Sequence, residues 1–269
     1  MDKQIGFIGC GNMATAMIQG MLANGIVKPG QIAATAVTDE TIDDAAEKYE
    51  IDTTHDNKQV ASESDILFLA IKPYLYEGII QEIRSYVKED AVIITIAAGI
   101  TLDKMKNSFD HKVKVVRSMP NTPSLVGEGM SVLCPNDFVE EDEMEEVIRI
   151  FESFGKAEII KEELMDAIPA ISGSAPAYVY MFIEAMADAA VQQKIPRQQA
   201  YKLASQAVLG AAKMVLETGE HPGKLKDDVC TPGGSTIEAV TTLESENFRN
   251  AVIKAMDACT KRARALSNE

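Results

Sequence analysis

The chain has 269 residues, 46% of them apolar, and a formal net charge of −15. That length supports one or two domains with a sizeable core, and that apolar content excludes a disordered chain. The negative balance argues against nucleic acid or an anionic membrane surface as a partner, although a glycine turn can still bind phosphate locally within a negative field.

The first predicted element is the apolar run Ile5–Ile8, long enough for a buried strand and too short for a helix. Gly9-Cys10-Gly11-Asn12-Met13-Ala14 follows as a G-x-G-x-x-A turn, and Met13, Met17, Ile18, Met21 and Leu22 then keep helical spacing. Strand, glycine turn and helix form the fingerprint of dinucleotide-binding folds. Gly9 permits the sharp bend, Gly11 lets the backbone approach a pyrophosphate, and Ala14 lets the helix pack on the strand. Residues 9–14 would hold the pyrophosphate on the free N–H groups of the helix start. The glycine turn comes too early to leave room for a signal segment, and no apolar run is long enough to cross a bilayer. A cytoplasmic protein is expected. Cys10, Cys134, Cys230 and Cys259 lie far apart and read as reduced thiols rather than a zinc site or a disulfide framework. His55, His111 and His221 lie singly, so neither a metal nor a histidine base is expected.

Ile32–Val37 reads as the second strand. An NAD-type fold closes this strand with an acidic residue on the ribose hydroxyls. Here the first carboxylate is Asp39, beyond Thr35-Ala36-Val37-Thr38. Its lateness favours NADPH, with NADH as the alternative, because a carboxylate at the strand end would repel a 2′-phosphate. Residues 39–49 read as a helix. The run from Ser64 to Ile71 marks a parallel strand buried on both faces. It ends in Lys72-Pro73, at the carboxyl edge where such sheets bind ligands. A helix with Ile79, Ile80, Ile83 and Val87 leads to a strand over Ala91–Ile96, which ends in the small residues Ala97-Ala98-Gly99. Lys112–Val116 is a shorter strand, and Met119-Pro120-Asn121-Thr122-Pro123 is a stiff loop fixed by two prolines. Met130–Cys134 reads as a strand. Glu140–Glu146 holds six acids in seven residues, but Met144, Val147, Ile148, Phe151 and Phe154 keep helical spacing, as in an amphipathic helix with a charged outer face. Ala157–Ile160 completes the strands.

Beyond about residue 164 the strand signals stop. Residues 168–193, 197–218, 225–229, 237–243 and 248–267 read as helices. The division is therefore residues 1–164, an α/β dinucleotide-binding domain, and residues 165–269, an all-helical domain. Residues 175–191 lack a polar face, so that helix needs cover on all sides. A helical half of this size offers little core of its own, and a second copy of the chain is expected to supply the cover. The turn Thr231-Pro232-Gly233-Gly234-Ser235-Thr236 clusters N–H groups at a helix start, a second anion site suited to a small carboxylate.

These motifs together closely resemble pyrroline-5-carboxylate reductases, from Ile5 to about Arg264. The resemblance rests on the first glycine turn, on Leu69-Ala70-Ile71-Lys72-Pro73, and on Met119-Pro120-Asn121-Thr122-Pro123. It continues through Ser172-Gly173-Ser174-Ala175-Pro176-Ala177-Tyr178 and His221-Pro222-Gly223-Lys224-Leu225-Lys226-Asp227 to the second glycine turn. Ala175 stands where the family usually has glycine and Thr231 where serine is usual. The end of the second strand lacks the family's frequent basic or serine residue.

The resemblance implies a Rossmann domain with a parallel sheet followed by an all-α dimerisation domain. It implies NAD(P)H-dependent reduction of L-1-pyrroline-5-carboxylate to L-proline by a homodimer or a higher homo-oligomer. Ala36 and Asn57 would lie near the cofactor's adenosine, Asn57 on the resemblance alone. Ile71, Lys72, Pro73 and Ala98 would border its ribose and nicotinamide. Gly233, Gly234, Ser235 and Thr236 would hold the substrate carboxylate, with the Thr236 hydroxyl on the imine nitrogen as the catalytic contact. β-Hydroxyacid dehydrogenases share the two-domain plan but place a lysine on the first long helix of the second domain, and residues 168–193 contain none. A nucleotide-sensing module without turnover would not need the second glycine turn.

Overall fold

The computed structural model describes residues 1–109 and 111–268. By contacts the chain divides into two compact units, residues 1–174 with 259–269, and residues 175–258. The last strand ends close to the 164/165 division read from the sequence, and the compact units part later, at 174/175.

The first unit alternates strand and helix: β1 (Ile5–Ile8), α1 (Asn12–Ala23), β2 (Ile32–Thr35), α2 (Asp39–Tyr49), β3 (Asp52–Thr54), α3 (Asn57–Glu63), β4 (Ile66–Leu69), α4 (Tyr76–Ile83), β5 (Val92–Thr95), α5 (Leu102–Ser108) and β6 (Lys114–Met119). Then come β7 (Gly129–Pro135), α6 (Glu141–Glu152), β8 (Gly155–Ile159) and α7 (Glu162–Met165). The eight strands form one sheet in the order β3-β2-β1-β4-β5-β6-β7-β8. The order reverses at β1, which pairs in parallel with both β2 and β4. A crevice therefore opens beyond the carboxyl ends of these strands, where α/β folds bind ligands.

β7 runs antiparallel to β6 and parallel to β8. The connection from β6 to β7 holds only a short 3-10 turn, Thr122–Val126, too brief for the crossover a parallel pair needs. α6 supplies that crossover between β7 and β8.

The strands read as continuous apolar runs because both faces are covered. Phe7, Ile32, Phe68, Ile94 and Leu133 face one core with α1 and α6. Ile8, Leu67, Leu69, Ile93 and Val115 face the other with α3, α4 and α5. Phe7 and Phe68, paired across β1 and β4, stack with ring centroids 4.6 Å apart.

Tyr76 opens α4 and is buried at the carboxyl ends of β4 and β5. Its hydroxyl donates to the Leu69 carbonyl at 2.7 Å and lies 2.8 Å from Thr95 Oγ1, which then donates to it. Burial pushes the Tyr76 phenol up to about 12, so this donor stays protonated. Tyr76→Phe should leave two buried polar partners unsatisfied and cost about 1–3 kcal/mol, read as a lower melting temperature.

The structure shifts several boundaries. β2 stops at Thr35, leaving Ala36 and Val37 beyond the sheet, with Val37 93% exposed. β6 covers Lys114–Met119 rather than 112–116, because buried Arg117 is part of the strand. Arg117 is admitted there by ion pairs to Glu162 at 3.3 Å and Asp166 at 2.8 Å. The helix read over 168–193 is broken into a π-helical turn, Pro169–Gly173, and α8 (Ala175–Gln192). Pro176 fits the first turn of α8, where its missing N–H costs no bond.

In the second unit α8 packs along α9 (Arg197–Thr218), followed by α10 (Pro222–Val229) and α11 (Ser235–Ser245). α12 (Phe248–Asn268) begins in this unit and ends in the first. Ala187 is the buried residue of α8, while Tyr180 and Met181 are 60% and 69% exposed.

Candidate functional site

Two helix starts follow glycine turns and have no side-chain cap, one in each unit. α1 begins directly after the first glycine turn. Gly9 has φ +94, and a Cβ there would lie 2.6 Å from the Ala70 carbonyl oxygen, so only glycine lets β1 turn against the end of β4. The Gly9 N–H donates to buried Thr35 Oγ1 at 3.2 Å, tying the turn to the end of β2. Gly11 is the N-cap of α1, with φ −84 and ψ −174, and no side chain caps the helix. The first intrahelical bond from this end is Thr15 N–H to the Gly11 carbonyl, so the N–H groups of residues 12–14 have no partner within the helix. No acidic residue lies in that first turn. A Cβ on Gly11 would meet nothing within 4 Å. Uncapped donors, the positive end of the helix dipole and open space before them suit a pyrophosphate.

That space is a cavity of about 660 Å³. Gly9, Cys10, Gly11, Asn12, Ala36, Asn57 and Ile71 line it, bringing together seven of the residues expected at the cofactor. Met13 and Ala14 do not line it with their side chains: Ala14 is buried in the core with Phe7, and Met13 packs against the same core. What they can offer a ligand at the helix start is their backbone N–H groups. Lys72 is exposed and caps the short turn Pro73–Leu75. Pro73 and Ala98 line a neighbouring cavity of about 770 Å³ beside α4 and α5. Asn57 Nδ2 donates to Glu82 Oε2 at 3.3 Å.

Thr35 and His55 were not singled out as site residues in the sequence, yet both line the cavity. His55 Nδ1 lies 2.9 Å from the Ala36 carbonyl, and Nε2 lies 2.8 Å from Asp39 Oδ1. The hydrogen bond to Asp39, then that to Ala36, holds its pKa above the ordinary histidine value. The proximity of β2 and β3 in the sheet would have been needed to find it, because His55 lies 19 residues from Ala36.

In the second unit, the turn before α11 repeats the same physics. Gly233 has φ +69. A Cβ on Gly234 would lie 2.4 Å from Thr231 Oγ1. The Gly234 N–H is spent on the Thr231 carbonyl at 3.0 Å. Gly234 is the N-cap of α11 and no side chain caps the helix, which leaves the first-turn donors, including those of Ser235 and Thr236, for a ligand. Thr236 is half-buried.

The chain is similar to known proteins along its whole length. A family profile described as pyrroline-5-carboxylate reductase dimerisation matches residues 162–266, and one described as NADP oxidoreductase coenzyme F420-dependent matches residues 4–99. The chain is similar to pyrroline-5-carboxylate reductase of Escherichia coli, 49% identical over 99% of each chain. Among solved structures it is similar to a pyrroline-5-carboxylate reductase from Coxiella burnetii, with a TM-score of 0.93 and 36% identity over 99% of both chains. It is also similar to the Plasmodium falciparum pyrroline carboxylate reductase solved with NADP bound, with a TM-score of 0.88 and 31% identity over 99% of this chain and 98% of that one.

Proposed function

The chain belongs to the pyrroline-5-carboxylate reductase family, and we infer that it reduces L-1-pyrroline-5-carboxylate to L-proline with NADPH, the last step of proline biosynthesis. The observation that carries this reading is 49% identity over 99% of the chain. The uncapped, glycine-fronted start of α1 supports the cofactor assignment. In this reading residues 9–14 bind the pyrophosphate through backbone N–H groups, and Ala36 and Asn57 border the adenosine. Ile71, Lys72, Pro73 and Ala98 border the nicotinamide end. When bound, the dinucleotide supplies a hydride.

The protein's own task is then small. A protonated cyclic imine is already electrophilic, so binding and orientation dominate. The start of α11 holds the substrate carboxylate through the N–H groups of Ser235 and Thr236. Gly233 and Gly234 give the turn its shape. The Thr236 hydroxyl hydrogen-bonds the ring nitrogen. No histidine–carboxylate pair is required for this chemistry. The test is NADPH oxidation with pyrroline-5-carboxylate beside a panel of 2-oxo acids. Turnover confined to the imine is expected, and turnover of a 2-oxo acid in its place overturns the reading.

The assembly follows from α8. Its apolar residues are left exposed by the single chain, and burying them stabilises at about 25 cal/mol per Å². A homodimer is the smallest assembly that covers them, and we place it in the cytoplasm, where free thiols such as Cys230 and Cys259 stay reduced. Met186→Glu is expected to dissociate the dimer or unfold it, because an unpaired buried charge costs several kcal/mol. A wild-type protein that is monomeric in light scattering at micromolar concentration contradicts this assembly.

A further inference from the structure

We propose that His55 sets the preference of this cavity for a 2′-phosphorylated dinucleotide, and that it does so by neutralising Asp39. The proposal rests on the cofactor reading above and names the group that decides between two cofactors in that same cavity.

The argument begins with hydrogen-bond chemistry. Both ring nitrogens of His55 have partners that can only accept, the Ala36 carbonyl on Nδ1 and the Asp39 carboxylate on Nε2. A neutral imidazole has one N–H and can satisfy only one of them. Both bonds are made together only by the imidazolium. The geometry thus assigns a cation to the edge of the cavity, just past the end of β2.

That position is the one that matters for cofactor choice. In this fold the adenosine ribose lies beyond the second strand, and a free carboxylate there selects the unphosphorylated ribose. Asp39, the first residue of α2, is the first carboxylate after β2. Left alone it would act against a 2′-phosphate. Paired with His55, it forms an ion pair with no net charge, and its Oδ1 is engaged by the imidazole. The other charged and titratable groups facing His55 are Asp43, on the exposed side of α2, and Asp44, Lys48 and Tyr49, which line the cavity from the same helix. From α3 the facing residue is Asn57, which carries no charge. Lys48 stands in the same cavity as Asp44, and the imidazolium is the cation that meets Asp39 itself.

The sign of the pH dependence follows. The folded protein raises the pKa of His55, chiefly through the Asp39 hydrogen bond. The imidazolium is therefore complete below the ordinary histidine range, and it is lost as pH rises through the raised value. The preference for the phosphorylated dinucleotide should fall over that same rise.

The test is isothermal titration of the full-length protein with NADP+ and with NAD+. The variants are His55→Asn, Asp39→Asn and the double variant. His55→Asn is expected to weaken NADP+ about tenfold and leave NAD+ within about twofold, the scale of one charge removed near a phosphate in partly solvated surroundings. Asp39→Asn is expected to bind NADP+ no more weakly than wild type. Once Asp39 is neutral, removing His55 should have little further effect. The wild-type ratio of the two affinities, divided by that of His55→Asn at each pH, should fall with rising pH, a comparison that cancels the phosphate's own titration. An unchanged ratio in His55→Asn overturns the proposal. So does a His55 effect of full size in the Asp39→Asn background, or weaker NADP+ binding by Asp39→Asn alone. The last of these keeps the test open even if His55→Asn fails to fold. A wild-type protein that binds neither dinucleotide contradicts the cofactor reading itself.

Discussion

Thr236→Ala is expected to lower kcat/KM for pyrroline-5-carboxylate by about 30- to 1000-fold, the range for one hydrogen bond to a charge that develops in the transition state. Most of the loss should fall on kcat, with the dinucleotide Kd unchanged. The carboxylate site should survive, because its donors are backbone N–H groups. The competing role for Thr236 is that of a helix cap, whose loss costs about 1 kcal/mol of stability and leaves turnover alone. The structure speaks against that role, since the N-cap of α11 is Gly234 and no side chain caps the helix. The melting temperature of Thr236→Ala should therefore barely move. Thr236→Ser should recover much of the rate by restoring the hydroxyl. A stable Thr236→Ala enzyme with wild-type turnover removes Thr236 from the chemistry and leaves water or the cofactor ribose as the proton source.

Gly11→Val should abolish dinucleotide binding while preserving the fold. The backbone at Gly11 is extended, a conformation that valine favours. An added Cβ meets no protein atom within 4 Å, so the side chain enters open space. That space is where the pyrophosphate is proposed to lie. Affinity for NADPH should fall by about a hundredfold or more, while the loss of a glycine N-cap shifts the melting temperature by no more than a few degrees. Cofactor affinity that stays at the wild-type level in a folded Gly11→Val protein would place the dinucleotide elsewhere. The same substitution at Gly9 is a poorer test, because φ +94 and the Ala70 carbonyl oxygen at 2.6 Å from the modified Cβ would disturb the fold itself.

Much of the fold was legible because its signals are local. β1, α2 and α9 fall where the periodicity of the sequence puts them, since an apolar run buried on two faces or an amphipathic stripe needs no distant partner to be read. The elements that were not read are short and polar. β3 is the three-residue edge strand Asp52–Thr54, and α3 and α5 are seven residues each, held by Asp56 and Thr101 caps more than by an apolar stripe. β6 was cut short at Arg117 because an arginine reads as exposed, and only the fold brings Glu162 and Asp166 to it. The first glycine turn was legible for the same local reason as β1. His55 was not, because its two partners come from the end of β2 and the start of α2. The antiparallel step at β7 was likewise hidden, since direction depends on the length of a connection rather than on the strand's own residues.

Hydride transfer to the imine carbon is tested most directly by isotope tracing. NADPH carrying deuterium at both C4 positions is supplied with pyrroline-5-carboxylate and the purified protein, and the product is examined by NMR. The expected product is L-proline with a single deuteron at C5. Proline without deuterium at C5, or cofactor oxidation without proline, contradicts the proposed reaction.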